Sequence, residues 1–282
     1  MKIGITGSNG FIGKHLVKEL KREHECFSFD KEEGYDILDL EQLKAFVKGK
    51  DCIIHLAGML RGDNFDIFKT NTLGTQRVLE AIKDLENKPK LIFASSFQVY
   101  KPTQEKVPIN ENFSEPQTEY GLSKYLAEKL IEFYSKKYKI SSIILRLSNI
   151  YGPGSKPNYY SVISTFVYRA QKGEEIIASD LFSSRDFIFI SDVVDIFNKM
   201  IGYKTDFDIF NVCNGKLTSL GDIIKILNKF KGVKFKNLNK KEGYVLGDNS
   251  KLKKCINYQN KIDIENGIRL MWDWFKNEYK NG

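Results

Sequence analysis

Hydrophobic residues in the first half of the chain follow two alternating patterns. Short runs that are apolar on both faces occur at Lys2–Thr6, Glu25–Phe29, 51–56, 91–94 and 141–147. Runs of this length without polar alternation predict strands buried on both sides. Between them the apolar positions recur every three to four residues, which predicts amphipathic helices over Phe11–Leu20, Leu40–Val47, 70–87 and 118–138. In the third of these, Leu73, Val78, Leu79 and Ile82 share one side. Residues 35–39 (YDILD) form a short segment before the second helix. Strand, helix, strand, helix in that order predicts an α/β fold around a doubly wound parallel sheet. Past Tyr151-Gly152-Pro153-Gly154 the pattern loosens and the elements are expected to be shorter and less regular. This places a sheet domain at 1–152 and a smaller lobe at 153–282, with some segments returning to the first. No internal repeat or low-complexity tract interrupts the chain.

The turn after the first strand carries Gly7, Gly10 and Gly13, spaced Gly-x-x-Gly-x-x-Gly, with Asn9, Phe11 and Ile12 between them. Strand, glycine turn and helix N-terminus together form an anion site, because bare N–H groups and the positive end of the helix dipole point outward there. Asp30 ends the second strand, about 20 residues further on, where a carboxylate can take hydrogen bonds from a ribose. It can also be read as a turn or cap residue. The third strand ends in Leu56-Ala57-Gly58, small residues that allow close approach, and the fourth runs into Ser95-Ser96. Ligands on such sheets sit at the carboxyl ends of the strands, where all these residues lie.

Composition changes this picture little. A formal charge of +8 is spread among mixed Lys, Asp and Glu, and the densest cluster, Lys229 to Lys241, is interrupted by Gly, Asn and apolar residues. We read it as solvated surface with attraction for a phosphate-bearing ligand rather than as a nucleic-acid groove. No apolar run approaches a membrane span, and no signal peptide is expected, since Met1 leads directly into a strand. Cys26, Cys52, Cys213 and Cys255 lie far apart and are expected to be buried thiols of a cytoplasmic protein, with no metal-ligand spacing.

Tyr120 and Lys124 stand four apart, so on a helix they project from one face one turn apart. Tyrosine, with a pKa near 10, is a poor base at neutral pH. A neighbouring ammonium and a cationic ring favour its phenolate. With Ser96 at a facing strand end, the three suit proton removal from a hydroxyl as hydride leaves its carbon. Taken alone, Tyr-x-x-x-Lys is also what a surface helix pair looks like.

The chain resembles the extended short-chain dehydrogenase/reductases, the group of nucleotide-sugar epimerases, dehydratases and ketoreductases. The resemblance is carried by TGSNGFIG at 6–13, Asp30, YDI at 35–37, HLAG at 55–58 and NTLGT at 71–75. It continues through ASSFQVY at 94–100, EPQTEYGLSK at 115–124, RLSNIYGPG at 146–154 and RDFIFISDVV at 185–194, with NVCNGKLTSLGDII and GDNSKLKK…IENGIRLMWDWF following. It implies a Rossmann-type sheet with a smaller C-terminal α/β substrate lobe, and bound NAD. NAD is preferred to NADP because Asp30 would repel a 2′-phosphate, although Lys31 beside it works the other way. By position, the glycine turn would hold the pyrophosphate, Asp30 the ribose, and Asp36 and Ile37 the adenine. Leu56, Ala57, Gly58 and Asn71 would line the cofactor channel. Ser96, Tyr120 and Lys124 match the catalytic triad, with Lys124 also on the nicotinamide ribose. Ser96, Phe97, Gln98, Tyr120 and Asn149 would face the substrate, and Arg185 its diphosphate; the rival reading of Arg185 is a structural ion pair with Asp186 or Asp192.

Departures from the family pattern narrow the function. Dehydratases of the family carry Asp and Glu after the catalytic hydroxyl; Phe97 and Gln98 stand there and cannot do acid–base work. The stretch between Gly58 and Asn71 is short and lacks the usual Ser and Pro. The C-terminal diphosphate-binding arginine has no match, leaving Lys240 or Lys241 as point-charge substitutes. The resemblance therefore implies an NAD-dependent nucleotide-sugar epimerase acting at C4 in surface-glycan or deoxysugar synthesis. A 4-ketoreductase and a non-catalytic NAD-binding sensor are the alternatives. It also implies a homodimer through the Tyr120 helix and the long helix before it, and Leu126, Leu130 and Phe133 on the Tyr120 helix fit either an interface or the core.

Overall fold

The computed structural model describes residues 1–159 and 161–278. The chain divides into two compact units. The first comprises Met1–Lys101, Glu111–Leu147 and Val194–Asn211, and the second Pro102–Asn110, Ser148–Val193 and Val212–Gly282.

The first unit is built on β1 (Lys2–Thr6), α1 (Phe11–Leu20), β2 (Glu25–Phe29), α2 (Leu40–Val47) and β3 (Cys52–His55). It continues with α3 (Asn64–Phe68), α4 (Gly74–Lys83), β4 (Lys90–Ser96), α5 (Glu119–Tyr138) and β6 (Ser142–Leu147). β5 (Pro108–Ile109) belongs to the second unit. The strand order is β10-β6-β4-β3-β1-β2, where β10 is Phe207–Val212. Every pairing from β2 across to β6 is parallel. Ile3, Ile5, Ile53, Ile54, Leu91, Ile92, Phe93, Ile143 and Ile144 are fully buried, which is why these runs show no polar alternation. Helix starts follow their caps: Asp39 Oδ1 accepts from Glu41 and Gln42 N–H, and Thr118 Oγ1 from Gly121 N–H.

Two stretches differ from the sequence reading. The expected helix over 70–87 is a π-turn at Lys69–Leu73 followed by α4, which stops at Lys83. One residue inserted into the ladder leaves the apolar period almost unchanged, so periodicity does not register it. The stretch between Gly58 and Asn71 holds α3, started by Asp63, whose Oδ1 accepts from Phe65 N–H at 2.8 Å.

The second unit holds three small sheets. β7 (Asn149–Tyr151), β9 (Ser184–Phe189) and β11 (Leu217–Ser219) form one, β8 (Ile176–Ala178) with β12 (Phe235–Asn237) another, and β13 (Leu246–Gly247) with β5 the third. Its strands are short, as expected, but its helices are not irregular. α6 (Val162–Lys172), α8 (Leu220–Asn228) and α10 (Ile264–Glu278) are regular, with α9 (Ser250–Ile256) shorter; α7 (Ile190–Gly202) leads back to the first unit. Crowded Gly and Pro at 152–154 mask the apolar stripes that follow. The four cysteines form no disulfide among the described residues; Cys52 and Cys213 are buried as expected, but Cys26 is only half-buried and Cys255 is exposed on α9, where the following Asn257 ends the helix in a left-handed turn. No described helix is long and apolar enough to cross a membrane, and no cluster of metal-ligating residues occurs among the described residues.

Candidate active site

β1 stands between β2 and β3, so the chain leaves β1 to one side and returns to the other. A crevice opens at such a reversal outside the carboxyl ends of the strands. Here it is filled by backbone. Gly7 has φ +71°, and a Cβ on it would lie 2.7 Å from the Ala57 nitrogen. A Cβ on Gly13 would lie 2.3 Å from the Gly7 carbonyl oxygen. The turn can be made only with glycine at these positions. α1 then starts at Phe11 with no side-chain cap and no acid in its first turn. Its first N–H groups, on Phe11, Ile12 and Gly13, are those a helix leaves without an internal partner. This helix start, with N–H groups at a dipole's positive end, fits a dinucleotide diphosphate.

Asp30 is buried at the end of β2. Its Oδ2 accepts from Asn9 N–H at 2.9 Å and its Oδ1 from Glu32 N–H at 3.0 Å. The cap reading of Asp30 is thus realised, and the same carboxylate pins the glycine turn to the β2 tip with lone pairs remaining for a ribose. Asn9 Nδ2 donates to Glu33. Asp36 is exposed and its Oδ1 accepts from Leu38 N–H, while Ile37 packs on Gly74, where a Cβ would be 3.1 Å away. Leu56 N–H donates to Thr6 O, and Ala57 N–H to Thr6 Oγ1.

α5 brings the catalytic candidates to this edge. Lys124 is only 3 % exposed; Nζ donates to Ala94 O at 2.9 Å and lies 4.6 Å from the Phe93 ring centroid. Burial lowers its pKa to about 8, which the Glu128 carboxylate only partly offsets. A Cβ on Gly58 would be 3.1 Å from Asn71 Oδ1 and 3.2 Å from Lys124 Nζ, so Gly58, Asn71 and Lys124 converge. Asn71 is fully buried; its Oδ1 accepts from Met59 N–H, and its Nδ2 donates to Met59 O and Ser123 Oγ. Ser123 Oγ in turn donates to Tyr120 O. The Ser96 Oγ accepts from Gln98 N–H at 3.1 Å, capping the turn that follows β4. That turn packs on the start of α5 so closely that a Cβ on Gly121 would be 2.1 Å from Gln98 O. Thr118 Oγ1 also donates to Gln98 Oε1. Phe97 is turned inward, edge-on to the Tyr100 ring, which leaves Gln98 as the exposed member of the pair.

In the second unit, Asn149 Nδ2 donates to Asp186 O at 3.1 Å. The Asp186 carboxylate accepts from Asn214 and Gly215 N–H, and burial still raises its pKa to about 6. Asp192 accepts from Lys261 and Ile262 N–H. Arg185 pairs with neither aspartate. Both carboxylates are spent on loop N–H groups, and Arg185 Nη2 donates instead to Glu242 Oε2 at 2.5 Å. An acid, rather than Lys240 or Lys241, therefore stands beside the arginine expected to meet a diphosphate.

Sequence reasoning missed the buried polar residues that tie this edge together. Thr6, His55 and Thr75 form one hydrogen-bonded chain, and Glu128 with Arg146 forms a buried ion pair at 2.7 Å. Arg146 also donates to Tyr100 OH, Glu111 O and Phe113 O, and Ser95 donates to Glu128. The only signal was a polar residue at the end of an otherwise apolar strand, as in CIIHL.

Residues 3–213 match the model of the NAD dependent epimerase/dehydratase family. The chain belongs to that family. It is an extended short-chain dehydrogenase/reductase with a Rossmann-type sheet. Among relatives, a GDP-6-deoxy-D-talose 4-dehydrogenase of Aggregatibacter actinomycetemcomitans is 31 % identical over 238 residues, 80 % of this chain and 79 % of that protein. Among solved structures, a UDP-glucose 4-epimerase of Thermotoga maritima with UDP-glucose is 25 % identical with a TM-score of 0.90, covering 99 % of this chain and all of that one. A UDP-glucuronic acid 4-epimerase of Bacillus cereus in complex with NAD is also 25 % identical, with a TM-score of 0.86 and coverage of 99 % and 100 %. The chain spans nearly the full length of both structures.

Proposed function

We propose that the protein is an NAD-dependent nucleotide-sugar epimerase that inverts C4 through a transient 4-keto sugar, serving surface-glycan or deoxysugar synthesis. The observation that carries this reading is the buried Lys124 ammonium, held to the Ala94 carbonyl on the helix face that also bears Tyr120. A cation fixed there favours the phenolate of Tyr120 and so makes it a base near neutral pH. Tyr120 would take the proton from the 4-hydroxyl, and Ser96 would hold the same oxygen. Bound NAD supplies the acceptor, and afterwards the donor, of the C4 hydride. The glycine turn, Asp30 and Asn71 would keep that cofactor in place through the cycle. Dehydration is disfavoured, since Phe97 is buried and Gln98 carries no acid or base.

The names of the two 4-epimerase structures support this reading, and the full-length likeness to them supports a nucleotide sugar as substrate. The dehydrogenase relative supports a second reading, a 4-ketoreductase in which Tyr120 donates a proton and NAD(P)H delivers hydride once. We place the protein in the cytoplasm as a homodimer. Leu122, Leu126 and Phe133 are 40 %, 38 % and 54 % exposed along α5 and would be covered by a second copy, whereas Leu130 packs on the core. Light scattering giving twice the chain mass supports the dimer. Interconversion of UDP-sugars by the purified protein without added cofactor supports epimerase; strict dependence on added NAD(P)H and a 4-keto sugar would replace it with reductase.

A further inference from the structure

His55 is fully buried at the end of β3 and both ring nitrogens are engaged: Nδ1 lies 2.7 Å from Thr6 Oγ1 and Nε2 lies 3.0 Å from Thr75 Oγ1. The proton positions follow by elimination. The Thr75 hydroxyl gives its one hydrogen to Asn71 O at 2.6 Å, so towards His55 it can only accept, and Nε2 carries the ring proton. Thr6 Oγ1 already accepts from Ala57 N–H at 3.3 Å, which leaves its hydrogen for Nδ1. The chain therefore runs in one sense, from Ala57 N–H through Thr6, His55 and Thr75 to the Asn71 carbonyl. It joins two of the cofactor-lining positions, Ala57 and Asn71, and Asn71 continues through Ser123 to Tyr120 O.

We propose that neutral His55, in its Nε2–H form, is a positioning residue for the cofactor: it fixes Ala57 and Asn71 relative to each other and so sets NAD affinity without touching substrate. A second proton would turn Nδ1 into a donor facing the hydrogen of Thr6, and that hydroxyl would have to turn away with no partner for its hydrogen. Complete burial, and in the same direction the nearby Lys124 charge, lowers the ring pKa to about 3. The ring is wedged beside Phe93, whose face also meets Lys124 Nζ, so it has little room to tilt. The proposal rests on NAD being the cofactor and is independent of whether the chemistry is epimerisation or reduction.

The test is NAD titration calorimetry on the full chain. His55→Leu removes both hydrogen bonds in an apolar side chain of similar bulk and is expected to weaken NAD about tenfold or more, roughly 1.4 kcal/mol. Ile143→Val in the same sheet, chosen for comparable loss of thermal stability, is expected to leave NAD binding unchanged. Thr75→Val on top of His55→Leu is expected to add almost nothing, because the chain is already broken. His55→Gln can both donate and accept, and is expected to restore affinity to within about threefold. Wild-type affinity is expected to be flat from about pH 7 to about pH 5, below the range in which Lys124 loses its proton. Should His55→Leu fail to fold, the Gln variant and the wild-type pH series decide. Wild-type binding by His55→Leu, additive losses with Thr75→Val, or a wild-type transition centred near pH 6 would overturn the proposal. Absence of sugar turnover by the wild-type protein that still binds NAD would count against the epimerase reading and leave this one standing.

Discussion

Replacing Lys124 with methionine should abolish turnover and yet change stability in a direction set by pH. The native state holds this ammonium away from water, and its pKa falls from 10.5 to about 8. At about 1.36 kcal/mol per pH unit, the buried charge costs about 3 kcal/mol at neutral pH, good to about one unit of pKa. Methionine fills similar space without charge but leaves the Ala94 carbonyl without its Nζ donor, a loss of about 1–3 kcal/mol. The two nearly offset at about pH 7, so the absolute difference there decides little, and the pH dependence decides. Between pH 8 and 10.5 the unfolded chain retains the proton that native Lys124 has lost. Unfolding then takes up a proton, and wild-type stability rises with pH relative to the variant. From about pH 7 to about pH 9.5 the wild type should gain about 2 kcal/mol on Lys124→Met. Urea unfolding of both proteins, stripped of bound nucleotide, reads this directly as a shift in midpoint at constant slope. A difference that stays constant over that range, or moves in favour of the variant, would refute the buried-ammonium argument.

Three further outcomes follow from the same geometry. Tyr120→Phe should cut kcat by about 10²–10⁴-fold while leaving NAD binding within about twofold; near-normal turnover would remove the phenol from the base role. Gly121→Ala places a methyl carbon 2.1 Å from Gln98 O, so it should cost about 1–3 kcal/mol in chemical unfolding and depress kcat by pushing the Ser96 turn from α5. Glu242→Gln frees Arg185 from a half-exposed ion pair worth at most about 1 kcal/mol, so KM for the nucleotide sugar should fall by up to about fivefold with kcat unchanged; a higher KM would show that Glu242 aids binding.

The sheet was legible because buried parallel strands have no polar alternation to confuse, and β1, α1, β2 and α2 fall where the apolar pattern put them. The glycine turn was legible for a steric reason, since Gly7 and Gly13 leave no room for a Cβ. What pattern could not show were contacts distant in sequence. Asp30 meets Asn9 across 21 residues, His55 meets Thr6 across 49, and Arg146 meets Glu128 from an adjacent element. The π-turn at Asn71 escaped because it adds one residue without breaking the apolar stripe. The partner of Arg185 escaped because two aspartates nearer in sequence are consumed by backbone N–H groups of their own loops.

The most direct test of the central claim is to incubate the protein as purified, without added nucleotide cofactor, with UDP-glucose and separately with UDP-glucuronic acid, and to follow the C4 epimers by nuclear magnetic resonance. The account predicts catalytic interconversion of at least one pair, many turnovers per bound NAD, with no net build-up of NADH and with turnover cut by about 10²–10⁴-fold in Tyr120→Phe. No epimer from either sugar, together with reduction of a 4-keto nucleotide sugar only when NAD(P)H is supplied, would contradict it.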